Sequence, residues 1–147
     1  MRHADAARMA EGLIRLWRAL TPPTAELTAP QAFALGTIVR QGPLRIGRLA
    51  DELGVTVATA SRTVDALAAR GFILREADPD DARAVRVVAT AAGKALHAKR
   101  RRRFVRNLAR LMDDLSEHER RQLADSLETL NRLFAPSDGL SGRRRVG

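Results

Sequence analysis

The stretch Thr56–Gly71, TVATASRTVDALAARG, constrains this chain more than any other. Val57, Ala60, Val64 and Leu67 recur at spacings of three and four, which places them on one face of a helix. The opposite face carries Ala58, Thr59, Arg62 and Asp65, all small or hydrogen-bonding. Thr56 is a natural N-cap, its hydroxyl able to accept from a free first-turn amide, and Gly71 can supply the left-handed residue that ends the helix. Upstream, Ile46, Leu49, Ala50 and Leu53 make a shorter helical pattern that stops at Gly54. Two short helices around a Gly-containing turn predict a helix-turn-helix over 45–70. Small side chains near the start of the second helix would let its backbone sink into a DNA major groove, with Arg62 reaching a phosphate or a guanine edge. The plain alternative is that the two helices belong to any helical core. The flanking sequence decides between them.

A chain of 147 residues has room for one domain with a proper core, or two thin lobes sharing one. Aromatic residues make up 3%, so the core must be aliphatic and Ala-rich, which favours helices. Ala10, Leu13, Ile14, Trp17 and Leu20 lie at helical spacing over residues 4–20, and the TPP at 21–23 stops that helix. Thr28 and Gln31 form a capping box for a second helix, with Pro30 tolerated in its first turn. That helix carries Phe33, Leu35, Ile38 and Val39 and ends at Gln41-Gly42-Pro43. After Gly71 the period changes. Residues 72–75 and 84–88 are apolar or β-branched runs bracketing the Asp-rich loop ADPDDARA, which predicts a β-hairpin directly after the recognition helix, a wing. Thr90 caps a helix over about 91–112 with Leu96, Phe104, Val105, Leu108, Leu111 and Met112 inward. Ser116 and Glu119 form another capping box, opening a last helix that carries Leu123, Leu127, Leu130, Leu133 and Phe134. From Pro136 the chain is polar, Gly-rich and basic, and disorder is expected over 136–147.

The formal net charge is +9, a field suited to phosphate backbones or anionic lipid. No apolar run approaches the ~20 residues a membrane span needs, and the N-terminal MRHADAARMAEG lacks the apolar stretch of a signal peptide. A cytoplasmic protein with no membrane partner is expected. Without cysteine, disulfides, thiolate-zinc sites and thiol switches are excluded. His3, His97 and His118 are isolated, none with a ligand partner at i+4, so no metal site is expected. Neither a Ser-His-Asp set, nor paired carboxylates, nor a Gly-rich phosphate loop is present, so no catalytic residue and no cofactor are expected. The run Lys99–Arg103 spreads five positive charges over more than one helical turn, so they cannot share a single DNA contact. A solvated face with long-range steering value is the plain reading.

The blocks LTAPQAFAL, PLRIGRLADELGVTVATASRTVDALAARGFILR and DPDDARAVRVVATAAG, in this order and spacing, closely resemble the MarR family of bacterial transcriptional regulators. The resemblance spans roughly residues 5 to 135. It implies a mainly α (α+β) fold, a winged helix-turn-helix DNA-binding lobe with N- and C-terminal dimerisation helices. On that reading residues 1–27 form an N-terminal dimerisation helix, 28–90 the DNA-binding lobe, 91–135 the C-terminal dimerisation helices and 136–147 a basic tail. It implies a homodimer on double-stranded DNA, a repressor released from a pseudopalindromic operator by a small phenolic or lipophilic effector. The DNA-facing positions would be Thr56, Ala58, Thr59, Ser61 and Arg62 on the helix and Asp81 and Arg83 on the wing. Arg83 matches the wing arginine that enters the minor groove, and Asp81 would orient its guanidinium. The family's pattern has two consecutive Arg after the Asp, whereas Ala82 here leaves only Arg83. Two plainer roles compete, an Asp81–Arg83 ion pair that stiffens the hairpin and an Arg62–Asp65 pair on a solvated helix face. By the same resemblance the effector pocket would be lined by Trp17, Phe33 and His97, although packing in a dimer core explains Trp17 and Phe33 equally well.

A sequence-tolerant, nucleoid-type DNA-binding protein is the rival from another class, since charge alone suffices for it. The affinity ratio between one operator and bulk DNA separates the two. Whichever holds, the lack of cysteine makes a definite prediction. Peroxide at physiological levels should leave DNA binding intact, because only Met1, Met9 and Met112 can be oxidised. Release by peroxide that a thiol reverses would contradict it.

Overall fold

The computed structural model describes residues 3–21 and 26–134, with Leu133 and Phe134 defined in their backbone only. The expected tail at 136–147 and the breaker Pro22-Pro23 lie outside the described residues. In chain order the elements are α1 (His3–Leu20), α2 (Ala29–Gln41), β1 (Leu44–Arg45), α3 (Ile46–Leu53), α4 (Val57–Ala69), β2 (Ile73–Asp78), β3 (Asp81–Ala89), α5 (Ala91–Met112) and α6 (Glu117–Phe134). The strands form one antiparallel sheet in the order β1-β3-β2. Helices α2–α4 with this sheet make a winged helix-turn-helix.

Local chemistry sets the helix ends. The Thr28 hydroxyl accepts from the Gln31 amide at 3.4 Å, and the Gln31 side chain accepts from the Thr28 amide at 3.1 Å, closing the expected capping box. Helix α3 stops at Gly54, and the Val55 amide donates back to the Ala50 carbonyl. Helix α4 opens on Thr56, whose hydroxyl accepts from the Thr59 amide at 3.2 Å. Its far end turns at Gly71, φ +74°, a left-handed backbone that other residues adopt only at a cost. There the Phe72 amide donates to the Leu67 carbonyl and the Gly71 amide to the Ala68 carbonyl, the paired bonds of a Schellman close.

The chain divides into two compact units, Met1–Asn107 and Leu108–Gly147. In the first, Leu35 and Ile38 of α2, Leu49 of α3, Val64 and Leu67 of α4, Ile73 of β2 and Val87 of β3 are fully buried. Leu27, Ala34 and Leu96 join this cluster. Burying one such aliphatic side chain is worth about 1.5–3 kcal/mol, against at most ~1 kcal/mol for an exposed ion pair. The core therefore fixes the lobe, and the surface pairs only adjust it. In the second unit, the Glu119 carboxylate accepts from the Ser116 amide at 2.8 Å and its hydroxyl at 2.7 Å, which holds its pKa below the usual range. Leu123 and Leu130 are half-buried there and Leu127 is exposed.

Several apolar positions of the helical patterns face outward in the single chain. Val57 is the first residue of α4, ahead of the turns that carry buried Ala60, Val64 and Leu67, and it is exposed. Phe33, Val105 and Leu111 are likewise exposed, as are Leu13, Ile14 and Trp17 on α1. Helical periodicity registers an apolar face but not what covers it.

The start of α5 is pressed onto the end of the recognition helix. The Thr90 hydroxyl donates to the Gly71 carbonyl at 2.6 Å and accepts from the Gly93 amide at 3.0 Å, while the Thr90 amide donates to the Phe72 carbonyl at 3.1 Å. A β-carbon on Gly93 would sit deep inside contact distance of the Phe72 carbonyl oxygen and 3.0 Å from its carbon. Gly93→Ala is thus expected to destabilise the chain by about 1–3 kcal/mol, as overpacking does. Gly47→Ala in α3, where a β-carbon meets nothing within 4 Å, should gain up to ~1 kcal/mol from helix propensity. Thermal melts of the two variants beside the parent check the opposite signs.

Candidate nucleic-acid interface and adjoining cleft

The outer face of α4 has its hydroxyls occupied locally. Thr56 donates to the Thr59 hydroxyl at 3.0 Å, and Thr63 donates to the Thr59 carbonyl at 3.1 Å. Ala58 is exposed, and Ser61 and Thr59 are half-buried. Asp65 does not pair with Arg62. Arg75 of β2 takes it at 2.5 Å and also donates to the Ser61 hydroxyl at 3.4 Å, tying the wing strand to the recognition helix. A long-range partner has displaced the local one, and Arg62 is left exposed with no hydrogen bond or ion pair among the described residues.

The wing is tighter than its sequence suggests. Asp78 faces Asp81, so Pro79 and Asp80 form the turn, and the register then shifts to Ala77 opposite Val85, which leaves Ala82, Arg83 and Ala84 of β3 without β2 partners. Asp78 carries this closure. Its carboxylate accepts from the Asp80 amide at 2.9 Å and from the Arg45 guanidinium at 2.6 Å. Farther along, Arg86 pairs with Glu76 across the hairpin at 2.6 Å. Arg83 lies within β3 rather than in a loop, and it is exposed. Asp81 accepts from the Arg83 backbone amide at 3.0 Å, so it fixes the Arg83 main chain rather than its guanidinium. That corrects both the orienting role and the ion-pair reading of Asp81. The guanidinium of Arg83, like that of Arg62, has no partner among the described residues.

Arg45, Arg75 and Asp78 escaped the sequence reading because their partners lie far along the chain. Only Asp78-Pro79-Asp80 carried a local signal, as an Asp able to accept from an amide two residues on.

A cleft of about 1310 Å³ adjoins this lobe within the first unit, and Trp17, Phe33 and His97 all line it, together with Phe104. Arg18, Arg40, Arg70, Arg100 and Arg101 also line it, and among the described residues no carboxylate does. The imidazole of His97 packs on α2 at Gly36, where a β-carbon would come 3.3 Å from its Cε1. Burial first, then the charges of Arg40, Arg101 and Arg100, hold the His97 pKa below its usual value. Nearby, Glu26 pairs with Lys99 at 2.6 Å, which lowers the Glu26 pKa, and Arg70 donates to the Glu26 carbonyl while stacking over the Phe72 ring. Among the described residues no cluster of His, Asp and Glu has the makings of a metal site, and no helix is long and apolar enough to cross a membrane.

Residues 27–85 match the model of the MarR family. An HTH-type transcriptional regulator of Bacillus subtilis, YxaD, is 28% identical over 93 residues, 63% of this chain. The chain spans 65% of that relative's length in the match. Among solved structures, RV1404 of Mycobacterium tuberculosis superposes with a TM-score of 0.78 at 21% identity, covering 95% of this chain and 99% of that one. FabT of Streptococcus pneumoniae, in complex with DNA, gives 0.66 at 18% identity over 89% and 92%. PcaV of Streptomyces coelicolor, in complex with its natural ligand, gives 0.60 at 23% identity over 86% and 89%.

The Arg45–Asp78 pair generates a pH prediction. Arg45 and the Asp80 amide hold the Asp78 carboxyl below its ordinary pKa. A lowered folded-state pKa contributes stability that is present above the unfolded value, ~3.9, and lost as pH falls through the folded one. Asp78→Asn should therefore be less stable than the parent near neutral pH, with the gap closing below about pH 4. Urea unfolding midpoints between pH 2 and 8 measure this, and a constant gap would show that charge plays no part.

Proposed function

Because the chain belongs to the MarR family, whose members are transcriptional regulators and not enzymes, we propose that it is a sequence-specific DNA-binding regulator, a homodimeric repressor that a small phenolic or lipophilic ligand releases from a pseudopalindromic operator. One observation carries this reading. Arg45, Arg75 and Arg86 around the winged helix-turn-helix are tied to carboxylates, while Arg62 on its second helix and Arg83 on its wing stay open. On this reading Arg62 makes the major-groove contact and Arg83 the minor-groove one. The FabT structure in complex with DNA supports the partner, and the PcaV structure with its ligand supports an effector. Residues 1–27 and 91–135 would pair two copies, burying the exposed Leu13, Ile14 and Trp17 across a two-fold axis. The protein would work in the cytoplasm.

Two recognition helices in such a dimer would enter successive major grooves roughly 34–36 Å apart, with each wing on the flanking minor groove. Arg62→Ala should cost about 1–3 kcal/mol per half-site where it reads a base. The cost of Arg83→Ala should depend on flanking A·T content and shrink with added salt. With Ala82 beside it, no neighbouring arginine replaces it. Operator affinities of both variants on A·T-rich and G·C-rich flanks, at several salt concentrations, provide the test. If Arg83→Ala binds every probe like the parent, the wing makes no contact. Equal affinity for operator and bulk DNA would favour the nucleoid-type alternative.

A further inference from the structure

The leading end of α4 carries apolar side chains where helix chemistry favours polar ones. Val57 is its first residue and is 57% exposed, and Val55 in the turn before it is 40% exposed. A carboxylate at such a position would complement the positive end of the helix dipole, yet the first turn of α4 has no acidic residue. Valine is also a weaker helix former than alanine and provides no cap. The buried face of α4 begins at Ala60 and continues through Val64 and Leu67, and Val57 lies outside it. Neither capping nor packing within the chain accounts for this exposed isopropyl group.

Its neighbours narrow what it can meet. From Gly54 to Ala58 every residue is exposed. Thr56 holds the one hydrogen-bonding side chain of this stretch, and its hydroxyl donates to the Thr59 hydroxyl and accepts from the Thr59 amide. A helix that enters a major groove by its N-terminus sets its first residues against base edges. With its polar side chain engaged locally, this surface matches the apolar group on those edges, the 5-methyl of thymine. Arg62 follows five residues later, about 7.5 Å along the axis, so it and Val57 would address base pairs about two steps apart.

We propose that Val57 reads a thymine methyl group in the major groove and is a specificity-determining residue of this chain. The inference rests on the operator-binding reading given above and adds to it a base and the residue that selects it. A branched side chain seated on the methyl removes apolar surface of both from water, a gain that uracil or cytosine at the same place does not give. Cytosine methylated at C5 carries the same group, so it satisfies Val57 where plain cytosine does not.

The test begins with a pool of random-sequence duplexes, from which the full chain selects its tightest probe. Deoxyuridine then replaces the thymines of that probe one at a time, which removes a methyl and leaves base pairing intact. Uracil at one thymine of a half-site should weaken the parent about fourfold, the equivalent of one buried methyl, whereas Val57→Ala should bind both forms alike. Val57→Ile should keep the preference. Arg62→Ala should weaken both forms and leave their ratio unchanged, which separates methyl reading from a general loss of affinity. At the same position, 5-methylcytosine paired with guanine should outbind cytosine by a similar factor with the parent and not with Val57→Ala. Uracil tolerated at every position, or a thymine preference that survives in Val57→Ala, overturns the proposal and leaves the regulator reading standing. A pool in which no sequence is enriched overturns both.

Discussion

The close approach of Gly93 to the Phe72 carbonyl is the constraint on which the arrangement of the first unit depends. At this point α4 has just ended, β2 is about to begin opposite the last residue of β3, and α5 starts. Thr90 bonds to both Gly71 and Phe72, so the end of the recognition helix and the start of α5 share one hydrogen-bonded knot. Such a knot holds only where no side chain intervenes, and Gly93 provides that. One turn farther along α5 lies His97, and Arg101 another turn on, both lining the cleft. A shift of α5 is consequently felt at the end of α4 through few intervening atoms. This contiguity is a physical basis for coupling the cleft to the end of α4.

The arginines of the winged helix-turn-helix divide by what they do inside the chain. Arg75 binds Asp65 and Ser61, Arg86 binds Glu76, and Arg45 binds Asp78. The exposed Arg75–Asp65 pair contributes little to stability, so its effect is geometric, whereas Asp78 is buried and its pair with Arg45 also adds stability. Arg75 sets the wing against the recognition helix, and Arg45 sets the turn of the wing against the start of α3. By consuming Asp65 and Asp78 they also withdraw negative charge that would otherwise oppose a phosphate backbone. Arg62 and Arg83 keep their donors free as a result.

Features set by residues close in sequence were legible beforehand. Thr28 with Gln31, Ser116 with Glu119, Thr56 and Gly71 each declare a helix end through neighbours at most a few residues away. The whole helix-turn-helix could be read from such signals. Strand β1, two residues long, has no periodicity to detect and exists only because β3 runs beside it. The turn-like composition of the wing hides where its strands end for the same reason, since the pairing of Asp78 with Asp81 closes the hairpin across Ala82-Arg83-Ala84, which have no partner on β2. The partner of Asp65 is not legible locally, because Arg75, ten residues on, competes with Arg62 at three. In the cleft, Trp17, Phe33 and His97 came from family resemblance, but the arginine lining did not. Arg100 and Arg101 looked like part of a solvated run, and only the turn of α5 brings them beside Arg40 and Arg18.

That lining has an energetic consequence for the chain without a ligand. Arg40, Arg100 and Arg101 crowd one imidazole, and like charges confined by apolar rings raise the free energy of the empty state. Anything that binds the folded chain and not the unfolded one stabilises it in proportion to the logarithm of its concentration over Kd. Salt acts on the same field, because counterions entering the open cleft screen the guanidiniums. The charge that lines the cleft thus makes the lobe's stability responsive to salt. An apolar cleft of equal size would bind lipophiles without that response.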